Sequence, residues 1–282
     1  MGWHDMFSPE REFRNWKISA FAGAQTFLFE TIDSTHSKMK QQAIAGEISA
    51  GTLFVADRQD AGRGRHDRTW ASPTGKNLYF NILLPLEGIP QNRFAQITQI
   101  AALTFAEVFK GLGADVTVKW PNDILAGKSK FCGILSEIIF IPDGCEAGEF
   151  FLNMGVGINV NSEPEDYKSL NRDVTTLKAI TDKVINREKL LQALISSLER
   201  ALGQFKAFGI SPWVNAWRQM DKFLGSRGTV IVNNHCTDEN RNSGEGSIKK
   251  SGQILDMNPD GSLLFKTDDG ETLTIYSADL EI

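Results

Sequence analysis

Residues 149–161 read EFFLNMGVGINVN, and their alternation decides what kind of sheet the chain builds. Successive side chains of a strand point to opposite faces. Phe150, Leu152, Met154, Val156, Ile158 and Val160 therefore share one greasy face that belongs to a core. Phe151, Asn153, Gly155, Gly157, Asn159 and Asn161 share the other. That face, mostly glycine and amide, is a poor surface for packing a helix. It reads as a flat floor for a planar ligand, with amides to meet the ligand's edge. Glycine in a strand can also mark a bulge, but two glycines flanked by asparagines favour the floor. A strand over 130–140 precedes this one, Asp143-Gly144 is the turn signal between them, and Gly133 would extend the floor.

Working outward, residues 25–32 read as a strand and 34–45 as a helix capped by Ser34 or Asp33. Strands follow over 52–59, 77–84 and 115–120, the last stopped by Pro121. The apolar positions Phe94, Ile97, Ala101, Phe105 and Val108 recur at helical spacing within 91–111. Residues 187–208 and 211–220 are two further amphipathic helices. Beyond Phe223 come short alternating strands over 229–233, 246–257, 262–266 and 271–276. Their Asp260-Gly261 and Asp269-Gly270 turns suggest a small SH3-like β-barrel. Strands and helices without strict βαβ alternation predict an α+β fold, a mixed or antiparallel sheet with packed helices. The division falls near Asp221, giving a main domain over 1–220 and a small β domain over 221–282. The polar stretch 233–250 reads as either a long hairpin tip or a loop.

The 282 residues are 41% hydrophobic and 23% charged, an ordinary globular balance. A net charge of −5 argues against a general polyanion binder, so no DNA partner is expected. Cys132, Cys145 and Cys236 stand at no metal-ligand spacing to His4, His36, His66 or His235, and a disulfide framework is not indicated. With no signal-like N-terminus and no apolar run of about 18 residues, no membrane partner is expected and the chain reads as cytoplasmic.

Gly62-Arg63-Gly64-Arg65, with Arg68 and Trp70 behind, lies in a loop over 61–76. Glycines let backbone approach a ligand, and guanidinium forks suit carboxylate and phosphate oxygens. Alone, this reads more readily as a solvated basic turn. Lys119-Trp120-Pro121-Asn122-Asp123 delivers an amide and a carboxylate to a strand end, where they could fix an adenine edge, a ribose or a magnesium ion. Lys130 opens the hairpin and could hold charge against a phosphoryl group. Gly127-Lys128-Ser129 lacks the earlier glycine of a phosphate loop, and neither Gly-x-Gly run has the third glycine of a dinucleotide fingerprint. No covalent nucleophile is indicated, which leaves a substrate carboxylate as the candidate attacker.

These blocks occur together in one family. Asp33-Ser34-Thr35, Gln59 with Ala61–Arg65, Arg68-x-Trp70, residues 119–123, Lys130-x-x-Gly133-Ile134-Leu135-x-Glu137 and residues 155–160 follow the order and spacing of biotin–protein ligases. The chain resembles that family from about Thr26 onward. The resemblance implies a class II synthetase-like catalytic domain that makes biotinyl-5'-AMP from biotin and ATP. It would then transfer biotin to a lysine of a biotin carboxyl carrier domain. Ser34, Thr35, His36, Gln59, Arg63, Gly64, Arg65, Lys130 and Gly133 would form the biotin site. Arg65, Arg68, Trp70, Lys119, Asn122, Asp123 and Asn159 would meet ATP. Lys130, Arg65 and Arg68 would be catalytic, with Asp123 on magnesium. His36 departs from the asparagine common in bacterial members. About 25 residues before the first strand are too few for the helix-turn-helix of the regulatory members, so the form without a DNA-binding domain is expected. A homodimer is left open. The rival readings are a lipoate–protein ligase, a biotin-responsive regulator and an inactive adenylate-binding module.

Overall fold

A computed structural model describes residues 12–66, 68–142, 148–168, 170, 173–233 and 247–282. The Asp143-Gly144 turn and most of the 233–250 stretch lie outside the described residues. Seven strands form the first sheet: β1 (Thr26–Phe29), β2 (Leu53–Ala56), β3 (Leu78–Pro85), β4 (Thr117–Lys119), β5 (Asp123–Ala126), β6 (Ser129–Pro142) and β7 (Gly148–Ile158). Their order is β1-β2-β3-β7-β6-β5-β4. Only β1 and β2 pair in parallel, and the other described pairings are antiparallel, so the sheet is mixed.

Among the described residues five α-helices accompany the strands: α1 (Thr35–Ile44), α2 (Phe94–Gly111), α3 (Leu177–Thr181), α4 (Arg187–Phe208) and α5 (Ser211–Met220). Asn186 caps α4 by accepting from the Lys189 amide at 3.0 Å, and the Gly209 amide closes its far end onto the Phe205 carbonyl at 2.8 Å. Leu103, Phe105 and Phe109 of α2 and Leu191, Leu194 and Leu198 of α4 are buried in one core with Leu152, Met154, Val156 and Ile158 of β7. Each such fully buried side chain contributes roughly 2 kcal/mol of hydrophobic stabilisation.

The opposite face of the sheet corrects one expectation. A helix does pack there: Met39 and Ala43 of α1 join Phe54, Leu83, Ile139 and Phe151 in a second core cluster. Asn153 permits this because it is wholly buried and its amide donates to the His36 carbonyl, leaving no stranded donor under the helix. The glycines further along β7 stay clear of α1's apolar side, and that is where the cavity opens.

A second, five-stranded sheet has the order β11-β10-β9-β8-β12, from β8 (Arg227–Asn233), β9 (Ser247–Met257), β10 (Leu263–Thr267), β11 (Thr272–Ile275) and β12 (Asp279–Glu281). Its Val230, Ile254, Met257 and Phe265 belong to the same buried cluster as α2 and α5. The turn at Gly261 is held between the sheets, accepting from Gln99 Nε2 at 2.7 Å and Trp120 Nε1 at 3.1 Å. β5, α3 and β12 are additions to the elements read from sequence.

Candidate active site

The glycine floor is built from cross-strand rows. Tyr79, Gly157, Gly133 and Asp123 stand opposite one another across β3, β7, β6 and β5, and Asn81, Gly155 and Leu135 form the next row. Side chains lie directly against both Gly157 and Gly133: a Cβ at Gly157 would fall 2.4 Å from Trp70 Cε2, and one at Gly133 2.8 Å from Lys130 Cε and Nζ and 3.1 Å from Trp70 Cζ3. The indole therefore covers the floor in this structure.

Lys130 reaches this face through an irregularity. The β5–β6 register shifts between Ile124 and Leu125, and Phe131 and Cys132 both point into the core. Counting back from Gly133 by strict alternation would bury Lys130; the bulge turns it onto the Gly133 face instead. Its Nζ lies 2.6 Å from Asp123 Oδ1, close enough for an ion pair though not aligned as a hydrogen bond, and 5.5 Å from the centre of the Trp70 ring.

The loop carrying the arginines is a tight hairpin. Arg63 bridges to Thr69, the Gly64 amide donates to the Arg68 carbonyl at 2.6 Å, and the Trp70 amide to the Gly62 carbonyl at 2.9 Å. Arg65 donates to Asn122 Oδ1 and to the Ala278 carbonyl, both at 3.2 Å. Asp279 of β12 sits among the loop's side chains, 3.5 Å from Arg65, 3.3 Å from His66 and 2.7 Å from Arg68. The second sheet thus supplies the counter-ion of the basic loop.

At the Gly155 end the groups are buried and polar. Ser34 caps α1, accepting from the Ser37 amide at 3.4 Å. Thr35 Oγ1 lies 2.7 Å from Asn81 Oδ1 and 3.0 Å from Gln59 Oε1, and the Thr35 amide donates to Gln59 Oε1 at 2.9 Å. His36 Nδ1 is 3.1 Å from Asn81 Nδ2, and Nε2 is 3.2 Å from Glu137 Oε2, whose other oxygen meets Lys40 at 2.6 Å. Burial holds the His36 imidazole below its ordinary value, against the pull of Glu137. Burial also pushes the Glu137 carboxyl up, but Lys40 and His36 outweigh it and the net direction is down.

Ser34, Thr35, His36, Gln59, Arg63, Gly64, Arg65, Arg68, Trp70, Asn122, Asp123, Lys130 and Gly133 all line one open cavity. Two expected residues do not. Asn159 lines a small neighbouring cleft that shares Trp70 and Lys130, and it is held there by Tyr167 and the Thr175 carbonyl. Lys119 instead donates to the Leu280 carbonyl of β12 at 3.0 Å, because β4 is the sheet edge that meets the second sheet. Its burial lowers the ammonium pKa. Asn81 and Asp279 also line the cavity and were not anticipated; Glu137 stood in a quoted motif without a role. A lone amide in the apolar run 78–85 was the available signal for Asn81. Nothing local marks Asp279.

Residues 28–154 match the biotin/lipoate A/B protein ligase family. The chain carries a domain of that family. It is a ligase. The Bifunctional ligase/repressor BirA of Bacillus subtilis (strain 168) is 28% identical over 260 residues, covering 92% of this chain and 74% of that protein. The Biotin--[acetyl-CoA-carboxylase] ligase of Mycobacterium tuberculosis is 28% identical over 224 residues, covering 77% and 79%. A biotin protein ligase from Aquifex aeolicus, solved in complex with biotin and ATP, superposes with a TM-score of 0.72 at 27% identity, covering 91% of this chain and 97% of that one. The ligase has no helix, among the described residues, long and apolar enough to cross a membrane.

Proposed function

We propose that the ligase condenses biotin with ATP to biotinyl-5'-AMP and passes the biotinyl group to a lysine of a biotin carboxyl carrier domain. The observation that carries this reading is the convergence of Arg65, Arg68 and Lys130 on one cavity beside the Gly133–Gly157 floor. The family match and the Aquifex likeness support it. The residues divide by chemistry along β7. Near Gly155, Ser34, Thr35 and Gln59 offer buried polar atoms suited to the bicyclic urea of biotin, with His36 beside them in the cavity wall and Arg63 and Gly64 closing over it. Near Gly157, Arg65, Arg68 and Lys130 suit a carboxylate meeting phosphates, and Trp70, Asn122 and Asn159 the nucleoside. Lys119 would support this end from outside the cavity. The catalytic domain would end near Asp221.

The biotin carboxylate, already ionised at neutral pH, attacks the α-phosphorus. A carboxyl–phosphate anhydride bond forms, the α–β phosphoanhydride breaks, and pyrophosphate leaves; no protein base is needed. Holding the reactants and stabilising phosphoryl charge supply the acceleration. An ammonium group of the carrier then loses a proton and attacks the acyl carbon, releasing AMP.

Magnesium carried on nucleotide phosphates needs only one or two protein carboxylates. Among the described residues no cluster of three or more His, Cys, Asp or Glu could hold a metal, so the donor set fits an ion brought by the nucleotide rather than a protein cage. Asp123 would hold it, where it would neutralise phosphate charge.

The test is to incubate the purified protein with ATP and either biotin or lipoate, measure pyrophosphate, and look for the acyl-adenylate and for acylated carrier domain by mass spectrometry. Biotin-dependent pyrophosphate and a biotinylated carrier are expected; lipoate-dependent product alone would overturn the assignment.

A further inference from the structure

The buried amides at the Gly155 end admit a single set of orientations, because the series begins at a group that cannot turn. The His36 main-chain carbonyl only accepts, and Asn153 Nδ2 lies 3.0 Å from it. Asn153 Oδ1 therefore faces Asn81, 2.7 Å from Nδ2. That amide nitrogen also lies 3.1 Å from His36 Nδ1, so Nδ1 carries no proton and the ring's N–H is at Nε2, toward Glu137. Asn81 Oδ1 is left facing Thr35 Oγ1 at 2.7 Å, with Gln59 Oε1 at 3.0 Å beside it. The single Thr35 proton is drawn to these carbonyl oxygens. Toward a ligand, Thr35 then offers only lone pairs.

A second proton on His36 breaks this order. Nδ1–H would face the Asn81 amide N–H, two donors 3.1 Å apart. Turning the Asn81 amide over relieves that contact but sets its oxygen against Asn153 Oδ1 and its NH2 against Thr35 Oγ1, which turns the hydroxyl proton onto Gln59 Oε1 and occupies a lone pair otherwise offered to a ligand. The charged groups acting on the ring are Glu137 of β6, Lys40 of its own helix and Arg63 of the loop; Asn81 of β3 and Asn153 and Gly155 of β7 carry no charge. Burial, Arg63 and Lys40 oppose a charged imidazole and Glu137 favours it, with the balance on the neutral side.

We infer that His36 is a positioning residue that sets, through Asn81, the direction of the Thr35 hydroxyl, and so makes recognition of the ligand's urea N–H groups conditional on a neutral imidazole. This rests on the reading that Thr35 meets biotin. The experiment is biotin Kd by calorimetry, with KM and kcat, from pH 8 to pH 5 for the wild type and His36→Asn. An asparagine there can accept from Asn81 and does not titrate in this range. The wild-type Kd should rise on acidification, approaching tenfold per pH unit once the imidazole is mostly charged, while kcat at saturating biotin moves far less. His36→Asn should bind biotin with a flat profile. Parallel profiles in the two proteins would overturn the inference. If His36→Asn does not fold, the ring nitrogens of the wild type decide by 15N resonance: an Nε2–H tautomer at pH 8 supports the proposal, and an Nδ1–H tautomer sinks it. A wild type that binds no biotin even at pH 8 would instead refute the proposed function.

Discussion

Gly157→Ala tests whether the floor must be bare. An added methyl carbon would stand 2.4 Å from Trp70 Cε2, 2.6 Å from Nε1 and 2.9 Å from Cδ2. Carbon atoms in good contact sit about 3.5–4.0 Å apart, so the indole must lift by about 1 Å. Its Nε1 has no acceptor among the described residues to hold it back. The ring therefore yields before the central strand does. Overpacking of this kind costs about 1–3 kcal/mol, which here should appear as a roughly 5- to 150-fold rise in the KM for ATP. Urea unfolding should show a smaller loss than the affinity does. Pyrophosphate release is measured against ATP concentration in four proteins: wild type, Gly157→Ala, Trp70→Phe and the double variant. If the clash is the cause, the smaller ring absorbs part of it and the Gly157→Ala penalty shrinks in the Trp70→Phe background. An unchanged KM, or the same penalty in both backgrounds, would refute the argument.

Lys130→Ala removes the charge beside the floor and should slow biotin-dependent pyrophosphate release about a hundredfold, on the order of 3 kcal/mol; a wild-type rate would exclude it from the chemistry. Asp279→Ala deprives Arg65, His66 and Arg68 of their shared carboxylate, and faster protease cutting within 65–68 is the expected readout, with an unchanged rate counting against the loop's dependence on β12. Asp221 is pushed up to about 6 by burial, despite donors from Trp217 and Phe223. The folded state thus favours its protonated form, and that contribution is present below the ordinary carboxylate pKa and lost as pH rises through about 6. Asp221→Asn should remove roughly 3 kcal/mol of pH dependence between pH 4 and 7, read as the difference between the two denaturant-stability profiles. Superimposable slopes would contradict it.

The long helices were legible because their ends are written locally. Asn186 and Gly209 bracket α4, and the apolar repeat between them leaves little choice. The strands β5 and β12 escaped because four and three residues give alternation no room to show. Lys130 was anticipated for the right surface without its cause, since a bulge is a property of pairing between strands and leaves no mark in one of them. The packing of α1 on the Asn153 face, though not the helix itself, was missed for a related reason. An amide reads as a ligand contact until a neighbouring helix offers it a main-chain carbonyl.

The reliance of the basic loop on Asp279 has a consequence for biosynthesis. Arg68 and Asp279 are 211 residues apart, so at ordinary translation speeds roughly 10 to 40 s separate their appearance on the ribosome. Throughout that interval the guanidinium groups lack their balancing acid, and a chain interrupted before β12 would keep them so. Any such fragment should cling to stray anions more tightly than the finished enzyme, although it carries every residue of the family match.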